Sequence, residues 1–189
     1  KLHYAIKANP FPALVRHMCP LVDGFDVASQ GEMRIALDAG MDPDRISIAG
    51  PGKLPGELLA AVRAGVRVSI ESESELHELH SIGATLGMRP RFSIRINPAF
   101  ELRAAGMKMG GRPSPLGIDA EPVPAILGSV DSRQLDFVGF HVFAGSQNLN
   151  AAAIVETQNR TFELAESLAA HAPAPLRELN IGGGFGVPY

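Results

Sequence analysis

The sequence predicts an α/β fold built on parallel strands, and three observations carry that prediction. Seven short apolar runs punctuate the chain, at Leu2–Ile6, Gly24–Ala28, Ile46–Gly50, Val66–Ile70, Arg91–Ile96, Phe137–Phe143 and Leu176–Ile181. Amphipathic stretches with helix start and stop signals lie between them. The balance of 46% hydrophobic and 20% charged residues over 189 positions is that of a folded globular chain, and it excludes a disordered or collagen-like one. Most of the runs read as nearly continuous, the pattern of strands buried on both faces. Strand–helix alternation of this kind folds with right-handed crossovers, into either an eight-stranded barrel or an open doubly wound sheet.

The helical stretches follow in order. Phe11, Leu14, Val15 and Met18 recur at i, i+3, i+4 and i+7, so they are expected to share one face. Ser29 with Glu32 reads as a capping box, with Gly40 as the residue beyond the helix end. Pro55 suits a first helical position, Leu58, Leu59 and Val62 share a face, and Gly65 closes the segment. Ser72 with Glu75 makes a second capping box, with Leu76 and Leu79 inward and Gly87 as the stop. A longer helix is expected over Ile154 to Ala170, with Phe162, Ala165 and Leu168 on one face. The stretch from Ile96 to Val123 breaks the rhythm. It holds Gly106, Gly110, Gly111, Pro113, Pro115 and Gly117, shows no clear helix before Ala120, and reads as a long loop of the kind that carries ligand contacts in α/β proteins.

Composition narrows the classes of function. A net charge of −3 is a poor basis for non-specific nucleic-acid binding, which leans on clustered lysine and arginine. No apolar run approaches the roughly 20 residues of a membrane span. The single cysteine, Cys19, excludes an intramolecular disulfide framework and suits a reducing compartment. The chain starts at Lys1 inside a strand-like run and ends at Tyr189 just after a glycine cluster, so it is expected to be a piece of a longer protein.

In a parallel α/β protein the strand ends define the site. Here they carry Lys7-Ala8-Asn9-Pro10, Asp26 with Ser29, Gly50-Pro51-Gly52-Lys53, Glu71-Ser72, Arg95-Ile96-Asn97-Pro98, His141 to Gln147, and Gly182-Gly183-Gly184-Phe185-Gly186. Three consecutive glycines cost backbone entropy and add nothing to packing. They let backbone N–H groups approach an anion, usually a phosphate. The spacing is not the G-x-G-x-x-G dinucleotide fingerprint, and Lys53 is not followed by the Ser or Thr of a triphosphatase loop, so Gly50 to Lys53 reads as a structural turn. A lysine after a strand is normally a solvated charge. In the barrel reading, a strand-terminal lysine beside a phosphate loop can form a Schiff base, which makes Lys7 a candidate nucleophile, with Asp26 one strand away to orient its ammonium. His77 and His80 read as a solvated helix face, Cys19 as core, and no metal site is expected; Met107 and Met109 carry no assigned role.

The strand ends, taken together and in register, resemble the fold-type III pyridoxal-phosphate decarboxylases, which include the diaminopimelate, ornithine and arginine decarboxylases. The segments that carry the resemblance are Tyr4 to Asn9, Gly24 to Ser29 with Gly31 and Glu32, Glu71-Ser72, Arg95 to Pro98, Gly145 to Gln147, and Asn180 to Gly186. The diaminopimelate branch is the most similar overall. Met107 to Gly111, Leu116 to Glu121 and Phe140 to Leu149 look like a subgroup associated with bacterial exosortase and exopolysaccharide systems.

The resemblance implies a (β/α)8 TIM-type barrel, alanine racemase-like, with about seven of the eight strands present. It implies that residues 1–189 form a pyridoxal-phosphate-binding barrel domain, with the closing strand, the ring-nitrogen carboxylate and a C-terminal β domain beyond Tyr189. The implied cofactor is pyridoxal 5'-phosphate. Lys7 would carry the Schiff base, Asp26 and Arg95 would line the cofactor pocket, and Phe143 would stack on the ring. Ser146, Gly182, Gly183 and Gly184 would hold the phosphate, while His141 and Asn97 would belong to the substrate pocket. The implied activity is decarboxylation of a diaminopimelate-like or other basic amino acid, in a cytoplasmic homodimer with shared active sites and no nucleic-acid or membrane partner.

Two departures stand out. Phe143 replaces the family's stacking histidine, so the position can stack but cannot donate a proton. Pro115 replaces a lysine in Ser114-Pro115-Leu116-Gly117-Ile118, which bears on the substrate. A non-catalytic pyridoxal-phosphate barrel and another phosphate-binding barrel enzyme are the alternatives. Racemisation would need a tyrosine base, and Tyr4 and Tyr189 are not placed for it.

Overall fold

The computed structural model describes residues 1–100, 107–108 and 114–188. Of the positions named above, Gly106, Met109, Gly110, Gly111, Pro113 and Tyr189 lie outside the described residues. The chain divides into two compact units, Lys1–Phe92 with Arg133–Asp136, and Ser93–Ser132 with Phe137–Tyr189.

The first unit repeats the strand–helix step four times. Its elements are β1 (His3–Ala5), a 3-10 turn (Ile6–Ala8), α1 (Pro12–Met18), β2 (Gly24–Val27), α2 (Gln30–Asp38), a second 3-10 turn (Pro43–Arg45), β3 (Ile46–Ile48), α3 (Pro55–Ala64), β4 (Arg67–Ile70) and α4 (Glu73–Leu86). The strands are parallel and lie side by side in chain order. The predicted helix signals operate as expected. Ser29 Oγ accepts the Glu32 N–H and Ser72 Oγ accepts the Glu75 N–H, both at 3.2 Å. Each glutamate reaches back to a backbone N–H one residue before the cap, Ala28 at 2.8 Å and Glu71 at 2.7 Å. Those N–H groups would otherwise be orphaned at a helix start. Gly65 and Gly87 close α3 and α4 in the left-handed conformation.

The second unit begins within β5 (Arg91–Asn97) and continues through β6 (Met107–Lys108), β7 (Ile118–Asp119), α5 (Val123–Gly128), β8 (Asp136–Val142), β9 (Gly145–Ser146), α6 (Ala151–Ala169) and β10 (Glu178–Asn180). In this unit β5 neighbours β8, and β8 pairs in parallel with β10. β7 adds to β5 in parallel, and the two-residue β6 and β9 pair antiparallel. All seven predicted strands are present, whereas β6, β7 and β9 have no counterpart in the apolar pattern.

The register corrects one expectation. Ala5, Asp26, Ser47 and Arg67 form a row across β1 to β4, and Tyr4, Phe25 and Ile46 form the next row on the opposite face. β4 is buried throughout, yet it alternates Arg67, Ser69 and the following Glu71 with Val68 and Ile70. β5 does the same with Ser93, Arg95 and Asn97 against Ile94 and Ile96. In β8 and β10, Gly139 with Glu178 and His141 with Asn180 share one face, while Phe140 and Leu179 share the other. The strands are therefore not apolar on both faces. One face carries the aliphatic and aromatic core, and the other is polar, so it needs hydrogen-bond partners to remain buried.

Two helix faces also differ. Phe11 precedes α1 as its cap residue and is exposed, leaving Val15 as the buried residue of that helix. α6 starts at Ala151 and buries Ala153, Thr161, Ala165 and Leu168, so Phe162 points to solvent. Thr157 and Thr161 return their hydroxyls to the carbonyls of Ala153 and Thr157, which lets β-branched polar residues sit on the inner face. Cys19 is half-buried rather than a core residue.

Candidate functional site

Lys7 sits at the carboxyl end of β1, in the 3-10 turn. Buried Ile6 anchors that turn, and the Ile6 carbonyl accepts the Asn9 N–H at 3.0 Å. Tyr4 Oη donates to the Asn9 carbonyl and the Asn9 side chain accepts the Phe11 N–H, each at 3.1 Å. The backbone around Lys7 is thus tied on both sides, while its side chain is exposed. Asp26 faces Ala5 across the β1–β2 pair, two residues short of Lys7. Its Oδ1 accepts from Ser47 Oγ on β3 and lies 3.1 Å from His3 Nδ1 on β1.

A second cluster of this unit was read in the sequence only as a turn and a cap. Gly50 follows β3, and its N–H donates to Glu71 Oε1 while its carbonyl accepts from Lys53 Nζ. Lys53 Nζ also lies 3.0 Å from Glu75 Oε2, with the lysine side chain 1% and the glutamate side chain 10% exposed. The turn reading of Gly50 to Lys53 holds for the backbone but misses the buried ammonium. A Gly-x-x-Lys segment after one strand and a Glu four residues ahead of another Glu are its traces in the sequence.

In the second unit Arg95 and Asn97 lie on the polar face of β5, half-buried and buried respectively. Asn97 Nδ2 donates to Asp119 Oδ1 at 2.6 Å, across the β5–β7 pair. His141, half-buried, is the register partner of Asn180. Past the ends of β8 and β10, two loops meet. Asn148 donates its N–H to the Gly184 carbonyl at 3.0 Å and accepts the Gly186 N–H at 2.9 Å. A Cβ on Gly184 would sit 2.2 Å from the Gly145 carbonyl oxygen, and one on Gly182 would sit 2.5 Å from the Phe143 ring. Both glycines have left-handed backbones, with φ of 88° and 69°. The structure therefore brings Phe143, Ser146 and Gly182–Gly184 close together. It also adds Asn148, 1% exposed, as the residue that joins the loops.

The glycine loop can accept a phosphate. A Cβ on Gly183 would meet nothing within 4 Å among the described residues. The Gly182 N–H is taken by Asn180 Oδ1 at 2.8 Å, which leaves the Gly183 and Gly184 N–H groups with no partner among the described residues. Backbone donors of this kind suit an oxyanion, and the backbone of half-buried Ser146 lies close by, its Cα 3.4 Å from where a Gly184 Cβ would stand. His77 is exposed and His80 half-buried on α4, and among the described residues no group of three or more His, Cys, Asp or Glu could hold a metal ion. No helix among the described residues is long and apolar enough to cross a membrane.

These features fall within one family of pyridoxal-phosphate proteins. The family model of the pyridoxal-dependent decarboxylases, pyridoxal binding domain, matches residues 1–189, and the chain belongs to that family. It is 38% identical to an L-glutamyl-[BtrI acyl-carrier protein] decarboxylase of Niallia circulans, over 100% of this chain and 45% of that protein. It is 34% identical to the diaminopimelate decarboxylase of Aquifex aeolicus, over 98% of this chain and 45% of that protein. Among solved structures, the Helicobacter pylori diaminopimelate decarboxylase complexed with L-lysine superposes with a TM-score of 0.88 at 32% identity, over 99% of this chain and 48% of that one. The chain thus spans about half the length of the curated relatives it matches. Its fold class is the (β/α)8 TIM-type barrel of the alanine racemase-like kind, and the cofactor of the family is pyridoxal phosphate.

Proposed function

We propose that the protein carrying this chain decarboxylates an α-amino acid with pyridoxal phosphate. The observation that supports it is the loop pair joined by Asn148, whose glycines cannot carry a Cβ at two positions and present open backbone at the third. In this reading Lys7 is the covalent partner of the cofactor aldehyde, and Ser146 with the Gly183 and Gly184 N–H groups binds its phosphate. Asp26 orients the Lys7 ammonium. Arg95 and Phe143 line the pocket, with Phe143 offering an aromatic face and no exchangeable proton. His141 and Asn97 stand toward the substrate. When bound, pyridoxal phosphate supplies an electron sink for the charge left as CO2 departs. The chain's own contribution is to hold the phosphate, present an amine for exchange with the substrate amine, and fix the scissile carboxylate.

The relatives named above are decarboxylases of an L-glutamyl group on an acyl-carrier protein and of diaminopimelate. We place the substrate among diaminopimelate-like or other basic amino acids, on the resemblance of the strand ends. Residues 1–189 form the cofactor-binding barrel domain of a cytoplasmic homodimer with shared active sites, of the exosortase-associated subgroup. The test is CO2 release by the native protein across meso-diaminopimelate, lysine, ornithine, arginine and carboxylated polyamines, together with the absorbance of the cofactor–lysine adduct. Lys7→Ala is expected to abolish both. A Lys7→Ala protein that still forms the adduct would remove Lys7 from this role.

A further inference from the structure

We propose that His3 and Ser47 are positioning residues that clamp the Asp26 carboxylate through a single oxygen; this rests on the reading of Lys7 and Asp26 above. Asp26 stands in the middle of a three-strand layer, with β1 on one side and β3 on the other. Ser47, its direct register partner on β3, donates its hydroxyl to Oδ1. His3, two residues before the register partner on β1, reaches the same Oδ1 diagonally, with Nδ1 at 3.1 Å. An ionised carboxylate only accepts, so Nδ1 carries the proton in this contact.

The fold makes a slot for that imidazole. His3 lies opposite Gly24 in the β1–β2 register, and a Cβ at Gly24 would stand 2.8 Å from His3 Cε1 and 2.9 Å from Nε2. The ring therefore lies across the bare glycine and points along β2 toward Asp26. Ser47 is 4% exposed, and the His3 side chain 15%, against 30% for Asp26. The two donors are thus more deeply seated than the group they hold. Two hydrogen bonds from opposite neighbours onto one oxygen restrict both torsions of a short side chain. Asp26 lies at the strand end from which Lys7 emerges, so this clamp sets the direction of the carboxylate that orients the lysine.

The experiment compares His3→Ala, His3→Asn, Ser47→Ala, Asp26→Ala and Lys7→Ala in the native protein. It reads pyridoxal phosphate dissociation constants, urea midpoints and the kcat and KM of decarboxylation. Asparagine carries an N–H donor at the same remove from the backbone as Nδ1, so it is the conservative variant. His3→Ala and Ser47→Ala are each expected to weaken cofactor retention about tenfold, the loss set by one charge-assisted hydrogen bond. They should lower kcat with little change in KM. His3→Asn is expected to restore cofactor retention to within about twofold of the parent, even where its urea midpoint stays at that of His3→Ala. Cofactor retention unchanged in His3→Ala and Ser47→Ala, or His3→Asn no better than His3→Ala, would overturn the clamp. If Asp26→Ala or Lys7→Ala alone leaves cofactor binding intact, it is the underlying assignment that fails.

Discussion

The ammonium of Lys53 and the carboxylate of Glu75 meet at 3.0 Å in the interior of the first unit, the lysine side chain 1% exposed. Glu75 also caps α4 through the Glu71 N–H, and Glu71 accepts from Gly50, so one cation holds the segments that follow β3 and β4. Removing one member of a buried pair leaves the other charge without compensation. Lys53→Met is therefore expected to destabilise the protein by about 3–5 kcal/mol in urea titration. Lys53→Met/Glu75→Gln keeps an acceptor for the Glu71 N–H and removes the stranded charge, so it should recover part of that loss. A double variant no more stable than Lys53→Met would show that packing of the lysine stem, not the charge, is what the site needs.

The three glycines of the β10 loop should respond differently to the same substitution. Gly184→Ala places a methyl 2.2 Å from the Gly145 carbonyl and forces a left-handed residue, so it is expected to disrupt the loop at a cost of about 1–3 kcal/mol. Gly183→Ala meets nothing within 4 Å among the described residues and should leave the urea midpoint close to the parent's. If this loop binds the phosphate as proposed, the added methyl should weaken that binding. Isothermal titration with pyridoxal phosphate separates the two outcomes. Equal effects on stability from both variants would contradict the geometry.

Asp23 titrates below its ordinary value of 3.8, chiefly because its carboxylate accepts the Leu2 N–H, with smaller help from Arg45 and His3. A carboxyl group whose folded pKa is depressed contributes stability that is complete above the unfolded value and is lost as pH falls through the folded one. The advantage of the parent over Asp23→Asn should therefore be full at pH 6 and shrink as the pH drops below about 4. Urea midpoints at several pH values check it. An advantage that grows in acid would reverse the sign and rule out the Leu2 hydrogen bond as the cause. Asp23 is fully exposed, so salt should diminish the charge-dependent part.

What was legible in the sequence was local. The Ser29–Glu32 and Ser72–Glu75 caps, and the stops at Gly65 and Gly87, depend on residues three or four apart, and all four form as read. The glycine cluster was legible because glycine has few other reasons to occur three times in succession. The polar face of the sheet was not. Val66–Ile70 looks like an apolar run until the register places Arg67 beside Ser47, and Ser47 beside Asp26. His3 and Ser47 gain a role only through neighbours 23 and 21 residues away in sequence. No window of that width separates them from ordinary strand residues. The burial of Lys53 is not legible for a related reason, since a lysine in a Gly-Pro-Gly-Lys turn is normally solvated.

Gly24 tests whether the His3 slot or the backbone beyond it sets the limit at the amino end of β2. A Cβ there would lie 2.3 Å from the Arg45 carbonyl oxygen as well as 2.8 Å from the His3 ring. The ring is a side chain that can rotate away, but the carbonyl cannot. Arg45 closes a 3-10 turn through its N–H to Asp42, at 2.8 Å, and its guanidinium donates to the Val22 and Asp23 carbonyls. That carbonyl is thus held by bonds back to the loop that leads into β2. Gly24→Ala is expected to destabilise by about 1–3 kcal/mol, the range for forcing a methyl into packed backbone. His3→Ala in the same chain should relieve only a minor part of this, because the Arg45 contact remains. Full recovery in Gly24→Ala/His3→Ala, read from urea midpoints, would mean the imidazole alone excludes the methyl, and that the Arg45 turn yields where its hydrogen bonds say it should hold.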